Sequence, residues 1–229
     1  MSGQSLSTNE AARVLNVPET TLRRWIRQGL FRCARQADGS FGRGEVLRWA
    51  RRHGISPSSD GPRPAPPAEH LLADAVALGA VTAGCEPSSA AEAIEIAVDA
   101  LPDLAQVRRS DLLGDVLERE RIASTGLGHG VALPHPRKPR PDLFRDPVLS
   151  VLFPVRPLDW AAVDRVAVFA VLLLVSPSPN VHLQMLPRIA YVLRSPEFRE
   201  FLRGDPLRGH PSKEELVERL RSIPLQGAP

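Results

Sequence analysis

Between residues 56 and 67 the chain reads Ser-Pro-Ser-Ser-Asp-Gly-Pro-Arg-Pro-Ala-Pro-Pro, five prolines in twelve residues with no apolar periodicity. Proline fixes φ and lacks an amide hydrogen, so such a run joins neither helix nor sheet and behaves as an extended, semi-stiff spacer. One core cannot be built across it. The 229 residues are therefore expected to form two domains, residues 1–55 and 69–229, joined by a linker over residues 56–68.

Charge divides along the same line. Residues 1–55 carry ten arginines against Glu10, Glu19, Asp38 and Glu45, a balance of +6; the whole chain carries +3, which leaves −3 for the remainder. A basic head on a mildly acidic body points to nucleic acid as a partner of the head alone. A 43% apolar and 24% charged composition fits a globular protein. The longest apolar run, Val166 to Val175, is too short to span a bilayer as a helix and reads as a buried strand. The first residues lack an apolar signal core, and Cys33 and Cys85 are too few and too isolated for a disulfide framework or a zinc site. The expectation is a cytoplasmic protein with no membrane partner, no metal and no cofactor.

In the head, Ser7-Thr8-Asn9-Glu10 has the form of a capping box that opens a helix to about Leu15. Pro18 suits the first position of a second helix, Glu19 to Gln28, with Leu22, Trp25 and Ile26 on its apolar face. Leu30 to Phe41 reads as a hairpin turning at Ala37-Asp38-Gly39, and a third helix runs from Arg43 to His53 with Val46, Leu47 and Trp49 inside. The order helix, turn, helix, wing, helix resembles the small winged helix-turn-helix of excisionase and MerR-type regulators. The resemblance is carried by Glu10-Ala11-Ala12, Leu15-Asn16-Val17, Thr20 to Ile26, Gly29-Leu30, Phe41 and Val46 to Trp49. It implies that the second helix enters the DNA major groove. Thr20, Thr21, Arg23, Arg24 and Arg27 would then meet DNA, with Arg35 and Arg43 on the wing. Arginine forks onto both guanine edges and phosphates. The same residues would equally make a solvated face or a protein-binding one; the +6 charge favours DNA.

The body alternates helices with strands: helical text over His70–Leu78, Ser88–Leu101 (with Ala91, Ile94, Val98 and Leu101 inside) and Ser110–Arg121; strands over Val148–Val155 and Val166–Val175; then helices from Val181 or His182 to Leu193, Pro196 to Leu202, and from a Ser212 cap. This is an α/β domain. At its centre lies Thr125 to Arg137, TGLGHGVALPHPR. Gly126, Gly128 and Gly130 permit backbone angles at which successive amides converge on an anion, and His135 follows a short apolar run. Alone, this is as consistent with an ordinary glycine turn beside a surface histidine.

Its context narrows it. Arg119-Glu120, Ser124-Thr125-Gly126-Leu127-Gly128-His129-Gly130, Val131-Ala132-Leu133 and Pro134-His135, followed downstream by a buried strand and His182-Leu183-Gln184-Met185-Leu186 opening a helix, resemble enzyme IIA of the fructose/mannitol type from the bacterial phosphotransferase system, including its nitrogen-regulatory branch. The resemblance covers about residues 70–224. It implies a mixed β-sheet with helices on both faces. It also implies that His135 accepts a phosphoryl group from a phosphohistidine carrier protein, with Arg119 pairing to phosphoryl oxygens and His182 touching the phosphoryl group or fixing His135. Ser124, Thr125, Gly126, Gly128, His129 and Gly130 would form the loop that binds the phosphoryl group. Two positions depart from the family pattern: His129 stands where asparagine is usual, and Pro136 replaces a small residue and removes an amide hydrogen. Three readings stay open. The chain is a phosphorelay regulator whose state alters DNA binding, a DNA-binding protein whose body is an unphosphorylated dimerisation or protein-binding module, or a phosphocarrier whose head binds protein. Heads of this type commonly act as pairs, which allows a homodimer.

Overall fold

The computed structural model describes residues 5–52 and 70–223, except 16, 18, 28, 37, 103 and 206; for Thr20, Thr21, Arg24, Arg51 and Arg52 it describes the backbone alone. Contacts divide the chain into two compact units, residues 1–66 and 67–229. The proline-rich linker lies outside the described residues.

In the head, β1 (Ser5–Leu6) leads into α1 (Thr8–Val14), α2 (Glu19–Arg27), β2 (Phe41–Gly42) and α3 (Arg43–Arg52). The capping box forms as read: Ser7 Oγ accepts from the Glu10 amide at 3.2 Å, and the Glu10 carboxylate accepts from the Ser7 amide at 2.8 Å. Leu22 and Val46 are fully buried, and Trp25 and Trp49 meet at 5.7 Å between ring centroids. The expected hairpin over Leu30–Phe41 is not a strand pair. Arg35 and Phe41 form one isolated bridge, closed by the Gln36 amide on the Ser40 carbonyl, and the ladder partner of β2 is instead β1. Asp38 draws the turn shut by accepting from the Ser40 amide at 2.9 Å, a short-range bond that competes with strand extension.

The body opens with α4 (Leu71–Leu78), β3 (Val81–Cys85), α5 (Ala90–Asp99) and α6 (Gln106–Ile122). It continues with β4 (Gly126–Gly128), β5 (Val131–Ala132), β6 (Val148–Pro154), β7 (Ala170–Val175), α7 (Pro179–Arg194), α8 (Pro196–Arg203) and α9 (Lys213–Arg221). The sheet order is β3-β6-β7-β5-β4. β3–β6 and β7–β5 pair in parallel, β6–β7 and β5–β4 antiparallel. β6 and β7 are buried throughout. Leu149, Val151 and Phe153 with Ala170, Leu172 and Leu174 face α4, α7, α8 and α9; Val148 and Leu152 with Val171, Leu173 and Val175 face α5 and α6. A strand covered on both faces reads as a continuous apolar run, which is why both were visible in the sequence.

Three expectations need correction. The second buried strand begins at Ala170 rather than Val166: Val168 exchanges hydrogen bonds with Leu158, and Val166 donates its amide to Asp164 at 3.1 Å and is 40% exposed. Ala91 is exposed, and Ala93 and Ala97 occupy the buried face of α5 beside Ile94 and Val98. α6 starts a turn earlier than Ser110, its polar first turn being fixed by tertiary contacts. There Arg109 donates to the carbonyls of Val98, Asp99 and Leu101 at 2.6–2.7 Å, satisfying the open end of α5. β3, for which the sequence carries no clear local signal, is an edge strand. Gly79 makes its approach possible, since a Cβ there would lie 2.3 Å from the Leu149 carbonyl oxygen.

Candidate phosphoryl site

The last turn of α6 presents Arg119 and Glu120. Successive residues on a helix point about 100° apart, so the neighbours serve different surroundings. Glu120 accepts from the Thr125 amide at 2.9 Å, from the Thr125 hydroxyl, and from the Trp160 indole N–H at 3.0 Å. It thereby staples α6 to the strand that follows. Arg119 donates to the Ala123 carbonyl at 2.9 Å and lines a cavity that opens to solvent.

The β4–β5 hairpin comes next. His129 (φ 54°) and Gly130 (φ 78°) are its two tip residues, and a turn with positive φ at both central positions matches the twist of the flanking strands. Histidine tolerates the left-handed region better than most side chains, which accounts for its place where the family has asparagine. The His129 side chain is exposed, while its amide donates to Asp164 at 2.6 Å. Gly130 packs so closely that a Cβ would sit 2.5 Å from the Phe169 ring.

β5 then carries the chain through Leu133 and Pro134, which stay paired: the Leu133 amide donates to Thr125 and the Pro134 carbonyl accepts from Leu174, both at 3.0 Å. His135 emerges half-buried at the cavity, its Nδ1 2.8 Å from the Leu133 carbonyl oxygen. A carbonyl only accepts, so Nδ1 carries the hydrogen of the neutral ring and Nε2 keeps its lone pair. Burial, and then the charge of Arg119, push the His135 pKa below the ordinary histidine value against the opposing pull of the Leu133 carbonyl and Glu120. The ring is neutral at pH 7.

The end of β7 supplies Ser176, and Ser178 caps α7 by accepting from the Val181 amide at 3.2 Å. The first turn of α7 then holds His182 with its ring centroid 5.1 Å from that of His135. Burial lowers its pKa to about 4, with the neighbouring His135 and Arg119 adding to the effect. The remaining wall is the segment 136–139, which brings Lys138 and Arg137, the latter ion-paired with Glu118 at 3.0 Å, and in which Pro136 is buried. That segment is tethered by Arg140, whose guanidinium binds Asp115 on α6 at 2.8 Å and Asp142 through two contacts of 3.0 Å. Among the described residues, three cationic side chains, two neutral histidines and no carboxylate line this cavity.

Arg119, His135 and His182 are thus brought together from α6, the segment after β5, and α7. The expected phosphoryl loop is not part of the cavity lining. The amide of Thr125 goes to Glu120, that of Gly126 to Ser124 Oγ at 3.1 Å and that of His129 to Asp164, while Ser124 Oγ donates to the Trp160 carbonyl at 2.7 Å. Gly128 and Gly130 shape the hairpin. Sequence reasoning missed Ser176, Arg137 and Lys138 as lining residues. The two basic residues follow the His135-Pro136 pair and were readable as a signal; Ser176 had none.

In the head, Arg23 is exposed and its Nε bonds Glu19 at 2.7 Å, one turn back on α2. Arg27 is exposed on the same helix. Arg35 lies over the Phe41 ring at 5.4 Å, and Arg43 opens α3 half-buried. The side chains of Thr20, Thr21 and Arg24 are outside the described residues. Among the described residues no helix is long and apolar enough to cross a membrane.

Comparison with known proteins agrees with this architecture. The family described as "Phosphoenolpyruvate-dependent sugar phosphotransferase system, EIIA 2" matches residues 79–206, and a helix-turn-helix domain family matches residues 5–54. A nitrogen regulatory protein of Pseudomonas aeruginosa is 30% identical over 106 residues, 45% of this chain and 67% of that protein. Its counterpart in Bradyrhizobium diazoefficiens is 28% identical over 140 residues, 58% of this chain and 86% of that protein. The crystal structure of nitrogen regulatory protein IIA-Ntr from Neisseria meningitidis shares the fold of the body, with a TM-score of 0.52 and 24% identity over 67% of this chain and 94% of its own.

Proposed function

Because this chain belongs to the EIIA 2 family of the phosphoenolpyruvate-dependent sugar phosphotransferase system and carries a helix-turn-helix domain ahead of it, we propose that it is a regulatory phosphocarrier. His135 takes a phosphoryl group from a phosphohistidine carrier protein, and its state alters DNA binding by the head.

The observation that carries this reading is the Leu133 carbonyl on His135 Nδ1, which leaves the Nε2 lone pair in a cationic cavity. The lone pair attacks phosphorus, a new N–P bond forms, and the donor histidine's N–P bond breaks and returns its electron pair to that nitrogen. The donor ring leaves neutral and the His135 ring takes up the positive charge, so no proton changes hands. The Leu133 carbonyl then faces a charged N–H, a stronger hydrogen bond than before. Arg119 and the two basic residues after Pro136 neutralise the phosphoryl oxygens, so catalysis rests on positioning and charge. Arg23, Arg27, Arg35 and Arg43, with Thr20, Thr21 and Arg24, would contact DNA.

One observation favours the alternative of an unphosphorylated, protein-binding body: Pro136, buried in the cavity wall, offers no amide hydrogen. Mixing the protein with a radiolabelled phosphorylated carrier separates the two. Label is expected on the wild type and absent from His135→Ala; label on that variant, or none on the wild type, refutes the phosphocarrier. DNA affinity measured with and without the phosphoryl group, across a salt series, then tests the coupling.

A further inference from the structure

The two cavity histidines have different partners on Nδ1. His135 meets a carbonyl oxygen, whereas His182 meets the hydroxyl of Ser176 at 3.4 Å. Ser176 directly follows β7 and is 2% exposed, and its own carbonyl is taken by the Arg140 amide at 2.8 Å. Among the described residues its hydroxyl has no hydrogen-bond partner other than His182. A buried hydroxyl needs an acceptor for its hydrogen, and His182 Nδ1 is the atom in reach.

We infer that Ser176 is a positioning residue: by donating its hydroxyl to His182 Nδ1 it places that ring's single hydrogen on Nε2. This rests on the phosphoryl-acceptor reading of the cavity. The pair of histidines then has opposite tautomers, a lone pair on His135 Nε2 to attack and an N–H on His182 Nε2 to hold a phosphoryl oxygen. The reverse tautomer of His182 would turn a lone pair toward a dianion. Neutrality of the ring at pH 7 makes the choice between nitrogens meaningful, because a protonated imidazole would carry a hydrogen on both.

Histidine 15N NMR of the full-length protein at pH 7 tests this directly. His182 is expected to show a hydrogen-free Nδ1 and a protonated Nε2, the reverse of His135. Ser176→Ala should mix the His182 tautomers and slow phosphoryl uptake from the phosphorylated carrier roughly tenfold, with the thermal midpoint confirming that the variant folds; Ser176→Thr should restore both readouts. A wild-type His182 protonated on Nδ1 overturns the assignment, as does a Ser176→Ala protein with unchanged tautomer and rate. If the alanine variant fails to fold, the wild-type tautomer decides alone. Should the tautomers be as expected while wild type takes up no label, the Ser176 hydrogen bond stands and the phosphocarrier reading falls.

Discussion

On either side of β5 the chain makes a tight segment, glycine-rich at 124–130 and proline-rich at 134–139, and the two do different work. In the first, the amides of Thr125, Gly126 and His129 are already hydrogen-bonded to Glu120, Ser124 and Asp164. The second has fewer amide hydrogens to offer, yet it supplies His135, Arg137 and Lys138 to the cavity. Glycines give a hairpin its shape, and side-chain charge gives the neighbouring segment its chemistry. The glycine-rich run beside this cavity is thus a structural device.

Substitutions can break that division at either end. The largest effect is expected from Gly130→Ala, which forces a Cβ into the Phe169 ring at 2.5 Å and strains a residue at φ 78°. A loss of about 3 kcal/mol, roughly 9 °C in melting temperature, should be seen by calorimetry while phosphoryl uptake per folded molecule is retained. The converse is Arg119→Ala. It should slow uptake of label roughly 30-fold through loss of a charged contact to the phosphoryl oxygens and move the melting temperature less than the glycine variant does. If the two phenotypes exchange places, the glycine segment is the phosphoryl site after all.

The smallest effect is a pH dependence that sharpens the same contrast. The folded His182 has its pKa lowered from 6.5 to about 4, so within that window the unfolded chain binds more protons than the folded one. Stability is therefore complete above pH 6.5 and falls as the pH drops toward 4, and His182→Gln should flatten this slope in thermal melts. Asp164, which reaches the hairpin tip from a distant loop, acts with the same sign over a lower range: amide donors His129 and Val166 hold its carboxyl below the usual 3.8, so its contribution is lost only as the pH falls through that value and beyond. A slope between pH 6.5 and 4 that survives in the glutamine variant would mean that other groups set it.

The elements legible without coordinates are those whose determinants lie within a few residues of each other. The Ser7–Glu10 capping box, the Ser212 cap and the doubly covered β6 and β7 carry their signals in local order. So do Arg119, His135 and His182, because their motifs sit at a recognisable spacing. Tertiary structure decided what depends on a distant partner. The amides of the glycine segment were read as free because the carboxylates that take them, Glu120 and Asp164, reach the hairpin from a helix on one side and a loop 35 residues away on the other. The start of β7 depended on Leu158, the first turn of α6 on the carbonyls at the end of α5, and β3 on the backbone of β6. Ser176 directly follows β7 and precedes Pro177 in sequence; folding alone placed its hydroxyl against His182. Local order determined which residues could do chemistry, and the hydrogen-bond partners supplied by the fold determined which of them were left free to do it.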